Sequence, residues 1–378
     1  MQRQNHSPER IAALDGLRGL ACLMVFGVHF GQITQLDARI GPFELGRLLA
    51  NGNVGVALFF ALSGMLLSLP LWQAKLEPAR APHLGRYFAY RCARILPAYY
   101  ICLTALIIAN RHWSEAMGWS DIGLHYALAF NYFDWSIFSI NPPFWTIAVE
   151  VQFYLLLPLL FAPTRRMGAV ATAIGVLVLA AASYATYVWL IATIGWTSGP
   201  RAVSPVLTYS LLGHLPHFLL GVLAGRSFLR LRHSNPRRPW NADAPAWACL
   251  AAILIVLSTP IDDWLQIPYG RYNLPYVPVL IAILITTAPF ASIMSKLLDG
   301  FPLRHLGLIS YGVYIYHLPA QHVTARYLGH FSISAQEHWG LFGLLSLALT
   351  IAIAAGSYLT VERPIARAIR RLGKRRLL

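Results

Sequence analysis

Arg18, His29 and Glu150 each place an ionisable group inside a stretch otherwise apolar enough for a membrane interior, where such groups are expensive and mark functional sites. Arg18 and His29 stand eleven residues apart in LDGLRGLACLMVFGVHF. On a helix that spacing leaves them about 20° apart around the axis and about 16 Å apart along it, so they share a face. Asp15, three residues before Arg18, joins it, and a polar stripe runs along a helix expected to be apolar all round. An Asp15–Arg18 ion pair with an interhelical histidine hydrogen bond would explain the stripe structurally. A histidine that takes up a proton would explain it chemically. Glu150, in PPFWTIAVEVQFYLLLP, falls about two turns, roughly 10 Å, below the outer end of its segment. His29 lies at a similar depth, so the two side chains are expected to meet. A histidine held by a carboxylate is the usual general base for a hydroxyl nucleophile.

A second set of residues could hold charge rather than move protons. In RYFAYRCARILPAYY, Arg91 and Arg94 are one helical turn apart at the cytoplasmic start of the third apolar segment. Two guanidinium groups so spaced can clamp phosphates bidentately; with Arg80 and Arg86 nearby, they could equally be ordinary cytoplasmic basic residues. NGNVGVALFFALSGMLLS carries Gly52, Gly55, Ser63 and Gly64, small residues that allow close helix approach. Ser63 could be a nucleophile, although no base adjoins it in sequence. In ISYGVYIYHLP, His317 falls in the outer half of the ninth segment with Tyr311 and Tyr314 below it, and Glu362 sits at the inner end of the tenth. His317 would either line an acceptor site or anchor its helix at the interface. Asp15, Ser63, Trp145, Tyr311 and His317 are assigned to a supporting or acceptor site.

The elements that must position these groups follow from composition. Of 378 residues, 57% are hydrophobic and only 12% charged, with a mean hydropathy of +0.53, too apolar for a soluble surface. Runs of about 20 apolar residues recur along the chain, the length needed to cross the hydrocarbon as a helix. We expect an all-α, polytopic bundle of about ten transmembrane helices, at 11–33, 48–70, 95–110, 143–161, 168–191, 207–225, 245–260, 273–290, 303–320 and 339–360. The stretch 121–142 is broken by Asn131, Asp134 and a Pro pair, and is expected to be re-entrant or interfacial. With that topology, loops assigned to the inside hold 23 of the 30 Lys and Arg, and outside loops hold only Arg39, Arg47, Arg111, Arg201, Arg271 and Arg326. The asymmetry predicts cytoplasmic N and C termini. It also accounts for the net charge of +15 without nucleic acid as a partner, because the basic residues lie in short loops rather than on one soluble face. Cys22, Cys92, Cys102 and Cys249 are scattered without pairing or metal-ligand spacing, so neither a disulfide framework nor a metal site is expected. The polar start lacks a cleavable signal pattern, no linker divides the chain, and residues 1–378 are expected to form a single membrane-embedded domain.

Six segments in order carry a resemblance across nearly the whole chain: DGLRGLACLMVFGVH, GNVGVALFFALSGMLL, RCARILPAYY, FWTIAVEVQFYLLLP, ISYGVYIYHLP and VERP. Together they resemble the acyltransferase family 3 integral membrane proteins, which include bacterial surface-polysaccharide O-acetyltransferases. The resemblance implies an O-acyltransferase in the bacterial cytoplasmic (inner) membrane. Its donor would be acyl-CoA, with acetyl the commonest acyl group, and its acceptor a carbohydrate or glycoside hydroxyl, with no permanently bound cofactor. It implies that His29 is the base paired with Glu150, that Arg18 supports the donor site, and that Arg91 and Arg94 hold the donor phosphates. Tyr90 stands where relatives often carry a further Arg, which would loosen that clamp. Many relatives also carry an SGNH-type hydrolase domain, which residues 1–378 do not contain. The competing function is a multi-pass transporter of an acidic metabolite, using the same charges as a pathway; it predicts an inverted repeat, which the sequence does not display.

Overall fold

Within a bilayer the backbone must satisfy its own N–H and C=O groups, so apolar runs become helices. The computed structural model of the chain describes residues 11–41, 43–76, 84–194, 204–234, 242–260 and 275–375. Among these residues the first half contains α1 (Ala12–Thr34), α2 (Leu45–Ala50), α3 (Val54–Leu76), α4 (Leu84–Asn110), α5 (Gly118–Tyr126), α6 (Trp145–Phe161) and α7 (Ala169–Ile194). The second half contains α8 (Pro205–Thr208), α9 (Leu211–Ser234), α10 (Asp243–Ser258), α11 (Tyr276–Thr287), α12 (Ile293–Asp299), α13 (Leu303–Gly329), α14 (Trp339–Ser357) and α15 (Arg363–Arg375). Two-residue strands β1 (Arg39–Ile40) and β2 (Phe43–Glu44) pair antiparallel just after α1.

Each of the ten expected membrane segments coincides with a helix. Seven stretches are long and apolar enough to cross a bilayer, and α11 with α12, bent by 90° at a short break, makes an eighth if taken as one span. The other two depart from the expected form. α10 has only 16 residues, and α13 has 27 but is too polar, with Tyr, His, Gln and Arg side chains spread along it. The third segment begins earlier than expected: α4 starts at Leu84, and Arg91 and Arg94 lie two to three turns inside it rather than at its mouth. The loops expected to carry Arg80, Arg201 and Arg271, and the first two residues of the 273–290 segment, lie outside the described residues.

The stretch 121–142 does not cross. Tyr99 OH and Tyr100 OH donate to the carbonyls of His125 and Tyr126, so α5 folds back along α4. Tyr99 is eleven residues before the end of α4, roughly 16 Å along its axis, and this is the re-entrant path the sequence suggested.

Close backbone approach holds the site helices in register. α1 packs against α3 and α13, α3 against α9, and α13 against α14. A Cβ on Gly307 would sit 1.8 Å from the carbonyl oxygen of Asp15, and one on Gly64 2.1 Å from that of Phe218, so no larger residue fits without moving a helix. Gly52 and Gly55 likewise face the backbone of α1, as their small size anticipated. These contacts fix Arg18, Ser63 and the tyrosines of α13 around one space.

Candidate active site

A cavity of about 690 Å³, counted with its open side, is lined by Arg18 of α1, Ser63 of α3, Arg91 and Arg94 of α4, Glu150 and Tyr154 of α6, and Tyr311 and Tyr314 of α13. Ser63 Oγ and Tyr154 OH both donate to Glu150 Oε1, each at 2.6 Å. Tyr154 stands one turn below Glu150, so their meeting follows from helical spacing. Arg18 pairs with Asp15 at 3.3 Å and lies within electrostatic reach of Arg94, Arg91 and Glu150. The Arg91 guanidinium stands 6.0 Å from the ring centroids of both Tyr87 and Tyr154, at cation–π range. Glu362, on the π-helical turn Tyr358–Glu362, faces Arg94 from outside the lining. The lining thus presents three guanidinium groups and one carboxylate, with Asp15 and Glu362 behind the arginines. In a medium of low dielectric such a surface favours an anionic ligand.

Toward the outer side the cavity is lined by Tyr314, whose hydroxyl donates to Pro143 O at 3.2 Å and lies 3.0 Å from Thr146 Oγ1. Its ring packs edge-on against Phe59. One turn further out is a histidine pair: the rings of His29 and His317 are 5.1 Å apart. His29 Nδ1 meets Gln32 Oε1 at 2.9 Å, and His317 Nδ1 meets the carbonyl of Tyr314 at 2.6 Å. The carbonyl of Tyr314 only accepts, so Nδ1 of His317 carries a proton, and Gln32 Oε1 facing His29 suits the same tautomer there; in the neutral form of that tautomer Nε2 keeps its lone pair. Gln32 is exposed, His29 half-buried and His317 buried, a graded path inward from the outer end of α1.

The expected meeting of His29 with Glu150 is therefore not what the fold provides. Glu150 is held by Ser63 and Tyr154, and His29 by Gln32. Tyr314 precedes His317 by three residues and Thr146 precedes Glu150 by four, so the two levels are roughly 10 Å apart. The depths assigned from sequence were wrong by about that much: Tyr314, one turn inward of His317, already meets the outer end of α6 at Pro143 and Thr146, and Glu150 lies a further turn in. Trp145 does not line the cavity itself: it packs edge-on against Phe60, which does, and at a tilt against Tyr209 and His214. Arg18, Arg91, Arg94, Ser63 and Tyr311 do converge, and Tyr311 OH is tied to Ile95 O at 2.6 Å. Gln32 and Tyr154 carry no chemical signal of their own in the sequence, although each stands one turn from the residue it meets, His29 and Glu150 respectively.

Between α4 and α6 a separate polar knot pins the segment that folds back. Asp121 bonds His112 Nε2 at 2.6 Å, His125 Nδ1 at 3.3 Å and the hydroxyl of Ser136. Burial pushes the Asp121 carboxyl up, but hydrogen bonds from His125, Ser136, Ser139 and His112 outweigh it and hold the group well below the usual carboxylate range.

Residues 11–358 match the family described as acyltransferase domain. The chain is 28% identical over 375 residues to "Putative membrane-bound transacylase BcsY" of Komagataeibacter xylinus, covering 93% of this chain and 81% of that protein. It is 26% identical over 385 residues to the peptidoglycan O-acetyltransferase OatA of Listeria monocytogenes, covering 95% of this chain but 56% of that one. No solved structure gives a significant match.

Proposed function

The chain belongs to the acyltransferase domain family, and from that membership and the geometry above we propose that it moves an acyl group from acyl-CoA to a carbohydrate hydroxyl across the depth of the membrane. It is a multi-pass membrane O-acyltransferase. In the proposed arrangement Arg18, Arg91 and Arg94 hold the donor phosphates from the cytoplasmic side of a bacterial inner membrane. The pantetheine arm runs outward past Tyr314, and His29 is the base. A hydroxyl of a surface polysaccharide or its lipid-linked precursor gives its proton to His29 Nε2 while its oxygen attacks the thioester carbonyl. A carbon–oxygen bond forms and the carbon–sulfur bond breaks. The proton on His29 then passes to the departing thiolate, releasing the free thiol. Gln32, not Glu150, orients the base, and Glu150 organises the arginine end through Ser63 and Tyr154.

The observation that carries this reading is the separation of arginine-lined cavity and histidine pair along one helix face. Arg18 and His29 are about 16 Å apart along α1. From the nearer phosphorus to the sulfur the donor arm is about thirteen bonds, roughly 15 Å at the per-bond reach of an extended chain. One end of such a donor meets the arginines when the other meets the histidine. The test is transfer of label from radioactive acetyl-CoA to endogenous glycans in membranes containing wild type or His29→Ala at matched levels of folded protein. Label in glycan with wild type alone supports the reading; equal label with both removes His29 as the base.

A further inference from the structure

His317 is buried to 1% exposure, and its Nδ1 proton is already committed to the carbonyl of Tyr314. Its Nε2, an acceptor in that tautomer, has no hydrogen-bond partner among the described residues. One turn further along α13, Gln321 is fully buried, donates its amide to Phe26 O, and leaves Oε1 without a partner among those residues. A buried acceptor with no donor is costly, and two of them one turn apart on one helix face suit a ligand that brings hydroxyl hydrogens. His29, 5.1 Å away ring to ring, offers a second Nε2 lone pair on the half-open side.

Resting on the acyl-transfer reading above, we infer that His317 is a second acceptor-binding residue. Its Nε2 accepts a hydrogen bond from the hydroxyl next to the one that His29 deprotonates, so the acceptor presents two neighbouring hydroxyls, as a sugar ring does. A lone alcohol fills one acceptor and leaves the other unpaired. A neighbouring diol satisfies both and is held with the attacking oxygen turned toward His29.

The test is competition against acetyl-CoA-dependent labelling of endogenous glycan, using trans-cyclohexane-1,2-diol and cyclohexanol as probes on the full chain in membranes. With wild type the diol should compete at about tenfold lower concentration, one hydrogen bond's worth of selectivity. That ratio should collapse toward one in His317→Leu and return in part in His317→Gln, which restores an acceptor oxygen near the Nε2 position. A wild-type diol no better than cyclohexanol, including the case in which neither competes, overturns the inference, as does an undiminished ratio in His317→Leu. If His317→Leu fails to accumulate, the wild-type ratio and that of His317→Gln decide. Wild-type membranes that label no glycan would instead overturn the donor and acceptor reading, and this inference with it.

Discussion

The cationic cavity and the histidine pair share two helices, α1 and α13, yet they are built on opposite principles. The cavity gathers charge: three arginines from two helices, a carboxylate from a third, and two more carboxylates behind. The pair is made of two imidazoles whose Nδ1 atoms meet neighbouring oxygens within one turn of the same helix. Charge belongs where a ligand must be held against its own hydration, because charge-assisted hydrogen bonds are the strong ones. Neutral imidazole belongs where a proton must be taken up, because only that form has a lone pair to receive it. Two levels roughly 10 Å apart thus divide one reaction into holding and proton transfer.

The comparison can be broken at either level. The largest effect is expected at His29. His29→Ala should lower transfer by about 100- to 10,000-fold, the contribution of a positioned general base, in initial rates at saturating donor. A loss expressed only as a raised KM for the donor would move His29 into the holding half. Next comes Arg94→Gln, which removes a charged hydrogen-bond donor from the lining. A loss of about 1.5–3 kcal/mol corresponds to a donor KM raised roughly ten- to hundredfold, with the saturated rate far less affected. Arg94→Lys should recover only part of this, since an ammonium cannot reproduce the bidentate fork.

Smaller effects sharpen the boundary. Tyr154→Phe removes one of two donors to Glu150, about 0.5–1.5 kcal/mol, and should raise the donor KM a few-fold without altering discrimination between acceptors. Asp121 belongs to neither level and serves as a control. Its folded carboxyl titrates below an unfolded one, so the stability it lends is complete above about pH 4 and is lost as pH falls further. Thermal unfolding of the purified chain should therefore show an acid limb that is flatter in Asp121→Asn, while donor KM and saturated rate at neutral pH stay unchanged.

Most of the fold was legible because hydropathy and charge asymmetry act over whole segments, and all ten expected stretches are helical. α13 was found despite its polarity because its apolar stretch survives between the tyrosines, and the re-entrant or interfacial character of 121–142 was legible from Asn131, Asp134 and the prolines. That Arg18, Arg91 and Arg94 line one cavity came from the family resemblance rather than from helix geometry, which set Arg91 and Arg94 at the mouth of their helix instead of two to three turns inside it. Pairings between helices were not legible. Whether Glu150 meets His29 or Ser63 depends on which faces of α6, α1 and α3 turn together, and that is set by glycine contacts such as Gly64 on Phe218 and Gly307 on Asp15. The early start of α4 was hidden because Arg86, Arg91 and Arg94 depress the hydropathy of a stretch that is helical.

The division into holding and proton transfer is tested most directly by equilibrium binding of acetyl-CoA to purified wild type, His29→Ala and Arg91→Gln/Arg94→Gln, with no acceptor present. The account predicts that His29→Ala binds the donor as wild type does, while the double arginine variant loses at least about tenfold in affinity. Donor binding that survives loss of both arginines but fails with His29→Ala would contradict it.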